Sequence, residues 1–261
     1  MKRVMRCFDG KLGQSRSAKI VPAGDFRGLC YCLGSMSELL SLDQAPAGLG
    51  AALRNAGFEH FTAIQQAVLA PELEGRDLRI SSQTGSGKTV ALGLLLAPSV
   101  AIAAATKPAK KSRKSAPATP VALLIAPTRE LAGQLGRELR WLYEPLGARV
   151  LVVTGGTSVM QERYQLSSQP QVVIGTPGRL LDHLRAGAMN LDQIKTIALD
   201  EADEMLDMNF EEELDGILGY APDLRRTHLV SATFPRAVVR LADRLQKEPV
   251  SVQGTVLGKA N

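Results

Sequence analysis

Two short segments hold the residue types that could do chemistry. The stretch SSQTGSGKT, residues 81–89, follows an apolar LRIS and precedes VALGLLLA, which reads as strand, loop and helix. Small residues let successive backbone N–H groups converge on phosphate oxygens, and the helix N-terminus adds its positive dipole end. In that setting Lys88 reaches the β- and γ-phosphates, and the Thr89 hydroxyl binds Mg²⁺. The strict pattern G-x-x-x-x-G-K-[ST] is not met, because Ser82 stands at the first glycine position. The second segment is IALDEADEML, residues 197–206, an apolar run ending in acids. A carboxylate at the tip of a buried strand sits at the sheet edge where open α/β folds bind ligands. Asp200 would there hold Mg²⁺ through its water, and Glu201 would orient and deprotonate an attacking water. Asp203 reads as a hydrogen-bonding loop residue and Glu204 as a solvated acid. The two segments together supply phosphoryl transfer from a nucleotide, with Lys88, Asp200 and Glu201 as its catalytic candidates.

Elements that would position these residues follow from the apolar pattern. Strands are expected at 78–82, 121–126, 150–154, 171–175, 196–200, 227–231 and 249–253. Helices are expected at 47–56, 63–70, 87–104, 129–143, 157–166, 178–185, 210–218 and 235–246. Strands alternating with helices predict an α/β fold with a mostly parallel sheet and helices on both faces. Residues 106–119, TKPAKKSRKSAPAT, interrupt the pattern with low-complexity Lys, Pro, Ala and Ser and read as a flexible basic loop.

Charge argues less than it first suggests. The net charge is +5, but residues 1–35 hold seven Lys/Arg against two Asp/Glu and account for all of it. That leader shows no period and no signal-peptide core. It reads equally as a disordered basic tail or as an extension upstream of a start at Met36. All three cysteines, Cys7, Cys30 and Cys32, lie within it. A body without cysteine suits the cytoplasm. The longest apolar stretches carry Gly, Pro and Ser and fall short of a bilayer span, so no membrane segment is expected.

Seven motifs stand in one order: TAIQ (62–65), SSQTGSGKT (81–89), APTREL (126–131), TGG (154–156), TPGR (176–179), DEAD (200–203) and SAT (231–233). Over about residues 36–255 the chain resembles the DEAD-box RNA helicases, specifically the first of their two RecA-like domains. The resemblance implies a RecA-like P-loop NTPase domain that uses ATP and Mg²⁺, followed from 256–261 by a linker to a second RecA-like domain. Gln65 matches the glutamine that reads the adenine edge through paired donor and acceptor bonds, with Thr62 beside it. Thr84, Gly85, Ser86, Gly87, Lys88 and Thr89 match the phosphate cradle. Pro127, Thr128, Arg129, Gly155, Gly156, Thr176, Pro177, Gly178 and Arg179 match segments lining the RNA sugar-phosphate track, which carries no sequence information. Asp203, Ser231 and Thr233 match the group that couples nucleotide state to RNA binding.

Three positions depart from the family pattern. Phe61 stands where the family has proline. Leu40 lies about where an aromatic would stack on adenine, and the loop at 106–119 is longer and more basic than the core needs. Phe58 matches a family aromatic and reads equally as a core residue. Without the arginine of a second domain, which is worth roughly 10³–10⁵ in rate where known, this chain is expected to bind ATP–Mg²⁺ weakly and turn it over poorly. The alternatives are a non-catalytic RNA- or protein-binding module of the same fold, and a different P-loop ATPase. Intact Lys88, Thr89, Asp200 and Glu201 weigh against the first, and the motifs outside the phosphate loop against the second.

Overall fold

The computed structural model describes residues 19–22 and 29–32 as backbone, and residues 40–81, 85–106 and 117–253 with their side chains. Thr84, most of the basic loop, most of the leader and segment 256–261 lie outside the described residues. In chain order the elements are β1 (Lys19–Pro22), β2 (Leu29–Cys32), α1 (Gly50–Asn55), α2 (Ala63–Val68), β3 (Leu78–Ser81) and α3 (Lys88–Ala105). There follow β4 (Ala122–Ile125), α4 (Arg129–Tyr143), β5 (Val150–Val153), α5 (Val159–Leu166), β6 (Val172–Gly175) and α6 (Pro177–Arg185). The last are β7 (Thr196–Leu199), α7 (Ala202–Asp207), α8 (Glu211–Leu218), β8 (Arg226–Ser231), α9 (Arg236–Leu245) and β9 (Val250–Gln253).

Strands β3 to β9 form a parallel sheet in the order β9-β3-β8-β7-β4-β6-β5. Each expected strand is present, because strands covered on both faces read as unbroken apolar runs. Successive side chains point to opposite faces. Ala122 and Leu124 of β4 therefore join one core with α1 to α4, while Leu123 and Ile125 join a second core with α6 to α9. Helices thus cover both faces, as expected. Helix α4 shows how: Ala132, Leu135, Leu139 and Leu142 are buried at helical spacing. Helix α3 is apolar nearly all round because it packs between the sheet and α4, where the Tyr143 hydroxyl donates to the Gly93 carbonyl at 2.7 Å. By length and composition α3 is apolar enough to cross a membrane, against the expectation that this stretch falls short; half of it is buried in the core.

Two expectations need correction. The helix expected from 47 begins at Gly50, because Ala47 (φ 53°) and Gly48 (φ 73°) hold left-handed backbone. Ala202–Asp207, read as loop, is the short helix α7. Within the leader, read either as a disordered basic tail or as an upstream extension, β1 and β2 pair antiparallel and β2 adds in parallel to β9. The edge of β9 offers free backbone N–H and C=O groups, and pairing with them needs no side-chain period.

Candidate functional site

Parallel strands place all their carboxyl ends on one rim, and the candidate residues lie in the segments that leave it. Lys88 follows the loop after β3, Asp200 and Glu201 follow β7, and Ser231 ends β8. These three strands are neighbours. Residues 127–129 follow β4, 154–156 follow β5 and 176–179 follow β6, and these strands are likewise neighbours. The strand order therefore divides the rim into a half carrying the nucleotide candidates and a half carrying the RNA candidates.

In the first half, Lys88 Nζ lies 2.9 Å from Glu201 Oε1, with the lysine 7% and the glutamate 19% exposed. The fold thus brings together two residues 113 positions apart. Glu201 is held at φ 53°, ψ 57°, a left-handed conformation rare for such a residue and costing about 1–3 kcal/mol. Its strain turns the chain sharply from β7 into α7. Asp200 is buried, and its backbone N–H donates to the Ile125 carbonyl at 2.9 Å. Burial, with Glu201 adjacent, pushes its carboxyl up to about 6, although Lys88 pulls the other way. Its Oδ1 is buried without a hydrogen-bond partner. A hard cation satisfies such an oxygen. Among the described residues no three acids, histidines or cysteines gather as a metal cage. Mg²⁺ usually needs only one or two carboxylates, completed by water and phosphate oxygens. The residues fit it.

The phosphate loop is braced from behind by Gln65. This side chain is fully buried; its Oε1 accepts from Thr62 N–H at 3.0 Å, and its Nε2 donates to the Gly87 carbonyl at 3.3 Å. Gly87 sits at φ +87°, and a Cβ there would lie 2.5 Å from Gln65 Nε2. Only glycine fits. Sequence reasoning gave Gln65 to adenine; here its amide joins the Thr62 turn to the loop. Phe58 is half-buried and packs against Trp141, ring centroids 6.0 Å apart, and Phe61 is buried in the first core. Leu40 likewise packs against that core.

Asp203 Oδ2 accepts from the Thr233 N–H at 3.2 Å and from its hydroxyl at 2.8 Å. The single Ser231 hydroxyl proton goes to the Thr233 carbonyl, 2.6 Å away, so Thr233 makes the direct bonds. Burial raises the Asp203 carboxyl, but hydrogen bonding from the 231–233 segment outweighs it and leaves the group below its ordinary value. The coupling trio is thus brought together. A cleft of about 360 Å³ opens beside Glu201, Asp203 and Thr233.

In the second half, Thr128 caps α4 by accepting from Leu131 N–H, and Pro127 is buried beneath. The Arg129 guanidinium lies across the turn at 155–156. A Cβ on Gly156, itself at φ +83°, would fall 2.1 Å from Arg129 Nη1. Thr176 precedes α6 with Pro177 in its first turn, and around Gly178 an added Cβ would meet nothing within 4 Å. Arg179 is not free. Its Nη1 pairs with Glu162 Oε2 at 2.8 Å, and its side chain is 12% exposed. Its Nη1 also lies 3.5 Å from the Thr157 carbonyl, so this arginine of the expected RNA segment is tied to the turn after β5.

Glu162 is the residue that sequence reasoning missed. It is 3% exposed and also receives His183 Nε2 at 2.7 Å, Thr154 N–H at 3.0 Å and the Thr157 hydroxyl. One carboxylate therefore ties the turn after β5 to α6. Burial raises this group, but bonds from Thr157, His183 and Thr154 and the charge of Arg179 hold it below the usual range. No sequence signal marks it, since a glutamate inside VMQERYQL reads as solvated.

Comparison with known proteins agrees with this geometry. The family model described as DEAD/DEAH box helicase matches residues 62–241. The chain is 36% identical over 219 residues to the ATP-dependent RNA helicase DbpA of Escherichia coli K12, covering 84% of this chain and 45% of that protein. It is 42% identical over 193 residues to the ATP-dependent RNA helicase CshA of Listeria monocytogenes, covering 74% and 35%. The crystal structure of a DEAD box protein from the hyperthermophile Methanococcus jannaschii superposes with a TM-score of 0.70 at 30% identity, covering 81% of this chain and 55% of that one. The chain spans less than half the length of these two helicases.

Proposed function

Because the chain belongs to the DEAD/DEAH box helicase family, we propose that it is the ATP-binding RecA-like domain of an ATP-dependent RNA helicase acting in the cytoplasm. The observation that carries this reading is the 2.9 Å meeting of Lys88 with Glu201, beside a buried Asp200 whose Oδ1 has no partner. In the ligand-free domain Lys88 and Glu201 neutralise each other. A bound triphosphate competes for the ammonium, and Glu201 is released to orient water and accept its proton. The water oxygen bonds to the γ-phosphorus as the bond to the bridging oxygen breaks and ADP leaves. Thr89 and Asp200 would hold Mg²⁺, which when bound offsets the charge of the phosphate oxygens. Gly85, Ser86 and Gly87 contribute backbone N–H groups, with Gln65 and Thr62 fixing the loop behind them.

RNA lies along the β4-β6-β5 half of the rim in this proposal. Arg129 and the backbone of Gly155, Gly156 and Gly178 face the phosphates, while Arg179 positions the turn. Such contacts hold the track without reading bases. A second RecA-like domain completes the site, adding charge at the γ-phosphate and a second wall for RNA. Isolated residues 1–261 are therefore expected to bind Mg²⁺–ATP weakly and to hydrolyse it poorly.

The test is calorimetric titration of the chain with Mg²⁺–ATP, followed by ATPase assays with RNA and DNA once a second RecA-like domain is supplied. Glu201→Gln should keep nucleotide binding and abolish RNA-stimulated turnover, while Lys88→Ala should lose binding. No heat on titration, or brisk turnover by the isolated chain, overturns the reading.

A further inference from the structure

The amino-terminal rim of the sheet, opposite the nucleotide, carries a larger cavity of about 690 Å³. Its long axis can be read from the backbone. Arg226 N–H donates to the Lys195 carbonyl, Lys195 N–H to Val121, Val121 N–H to Gln171, and Gln171 N–H to Arg149. These five residues begin or precede β8, β7, β4, β6 and β5 in their spatial order, and all five line the cavity. Four inter-strand steps of about 4.8 Å make a trough about 19 Å long. That length holds about six residues of extended peptide at about 3.3 Å each.

Its chemistry is arranged along that axis. Lys195 and Arg226 stand at one end and Arg149 at the other. Among the described residues no carboxylate pairs with any of the three. Between them the wall is uncharged and mixed: Val121, Pro170 before β6 and Ile102 of α3, which is 71% exposed, stand among the amides of Gln171 and Gln193.

We propose that this trough binds an extended peptide segment of a protein partner, with carboxylates near both ends and apolar side chains between them. The spacing of these cations, none of which has a carboxylate partner among the described residues, matches such a segment, and Ile102 and Val121 take its apolar side chains. A nucleic acid strand fits less well. Its phosphates would follow one another along all 19 Å, whereas among the described residues the middle of the trough offers no cation and no aromatic platform for bases. Docking here leaves the opposite rim open, so the partner and the nucleotide can be bound together.

Selection from a displayed library of random ten-residue peptides against the 261-residue chain tests this, with the winners remeasured by fluorescence anisotropy. Enriched peptides should carry Asp or Glu at both ends of an apolar stretch. Their affinity should fall about tenfold or more on Lys195→Glu, an exposed position, and on Arg226→Glu. Circular dichroism of each variant checks folding, and Lys195→Glu alone suffices if Arg226→Glu disturbs β8. Arg129→Glu, on the opposite rim, should leave peptide binding unchanged. Enrichment of basic peptides, or no enrichment that Lys195→Glu abolishes, overturns the proposal. So does a result in which Lys195→Glu weakens oligouridylate binding and leaves peptides unaffected, which would make the trough a nucleic-acid surface. Mg²⁺–ATP titration of the same variants separates this outcome from failure of the nucleotide site.

Discussion

Replacing Glu162 with glutamine removes one negative charge from a buried junction and little else. The amide oxygen still accepts from Thr154 N–H and the Thr157 hydroxyl, but its NH₂ group then faces Arg179 and His183, which are themselves donors. Removing one partner of a buried ion pair costs about 3–5 kcal/mol, and the bonds that survive return part of it. A loss of about 2–3 kcal/mol is expected. For a domain of this size that lowers Tm by roughly 4–12 °C. Urea melts of the wild type, Glu162→Gln, Arg179→Gln and the double variant give the measurement, and the cycle should yield a coupling of about 1 kcal/mol or more. Because the folded pKa of Glu162 is depressed, its stabilisation is present above the unfolded carboxylate value and lost as pH falls through the lower folded one. The gap between wild type and variant should therefore narrow below about pH 4.5. RNA affinity should fall, since the turn at 154–157 and α6 lose their common anchor, while Mg²⁺–ATP binding on the other half of the rim is unchanged. An unchanged urea midpoint, or a gap independent of pH, would refute the argument that Glu162 joins these segments as an ion.

Asp200 behaves in the opposite sense. Its folded pKa is raised to about 6, so the protonated form favours folding and stability falls as pH rises between about 4 and 6. Asp200→Asn should therefore stabilise the ligand-free chain at pH 8, by at most about 3 kcal/mol. It should stabilise little at pH 4 and lose the Tm rise produced by Mg²⁺–ATP; equal melting differences at both pH values would count against it. Gly87→Ala forces a Cβ into Gln65 Nε2 from a left-handed backbone. It should cost about 1–2 kcal/mol from the backbone alone and weaken Mg²⁺–ATP binding in calorimetry. Retention of wild-type affinity would mean that Gln65 does not brace the loop.

Legibility in the sequence followed the range of the interaction. Strand β7 and its two following acids are local: an apolar run, then carboxylates, so both the element and Asp200 could be read directly. Lys88 was legible for the same reason, through the small residues before it. Helix α7 was not, since six residues opened by a strained Glu201 carry no apolar period. Glu162 and Arg179 show the harder limit. Each looks solvent-facing within its own helix, and only the packing of α5 and α6 against neighbouring turns buries them together. Gln65 was found by its motif, but its bond to Gly87 depends on how closely two segments 22 residues apart approach.

The place of β3 in the sheet has a consequence for synthesis. Its two neighbours are β8 and β9, and Leu78 aligns with His228 and Val250. Until about residue 231 has left the ribosome, the strand that leads into the phosphate loop has neither of its sheet partners. The half of the rim built on β4, β5 and β6 can assemble earlier, because all three strands have emerged by residue 175. A nascent chain thus joins the two halves of the rim late, and a ribosome paused before β8 would leave the strand that leads to Lys88 unconnected to the strand that leads to Glu201.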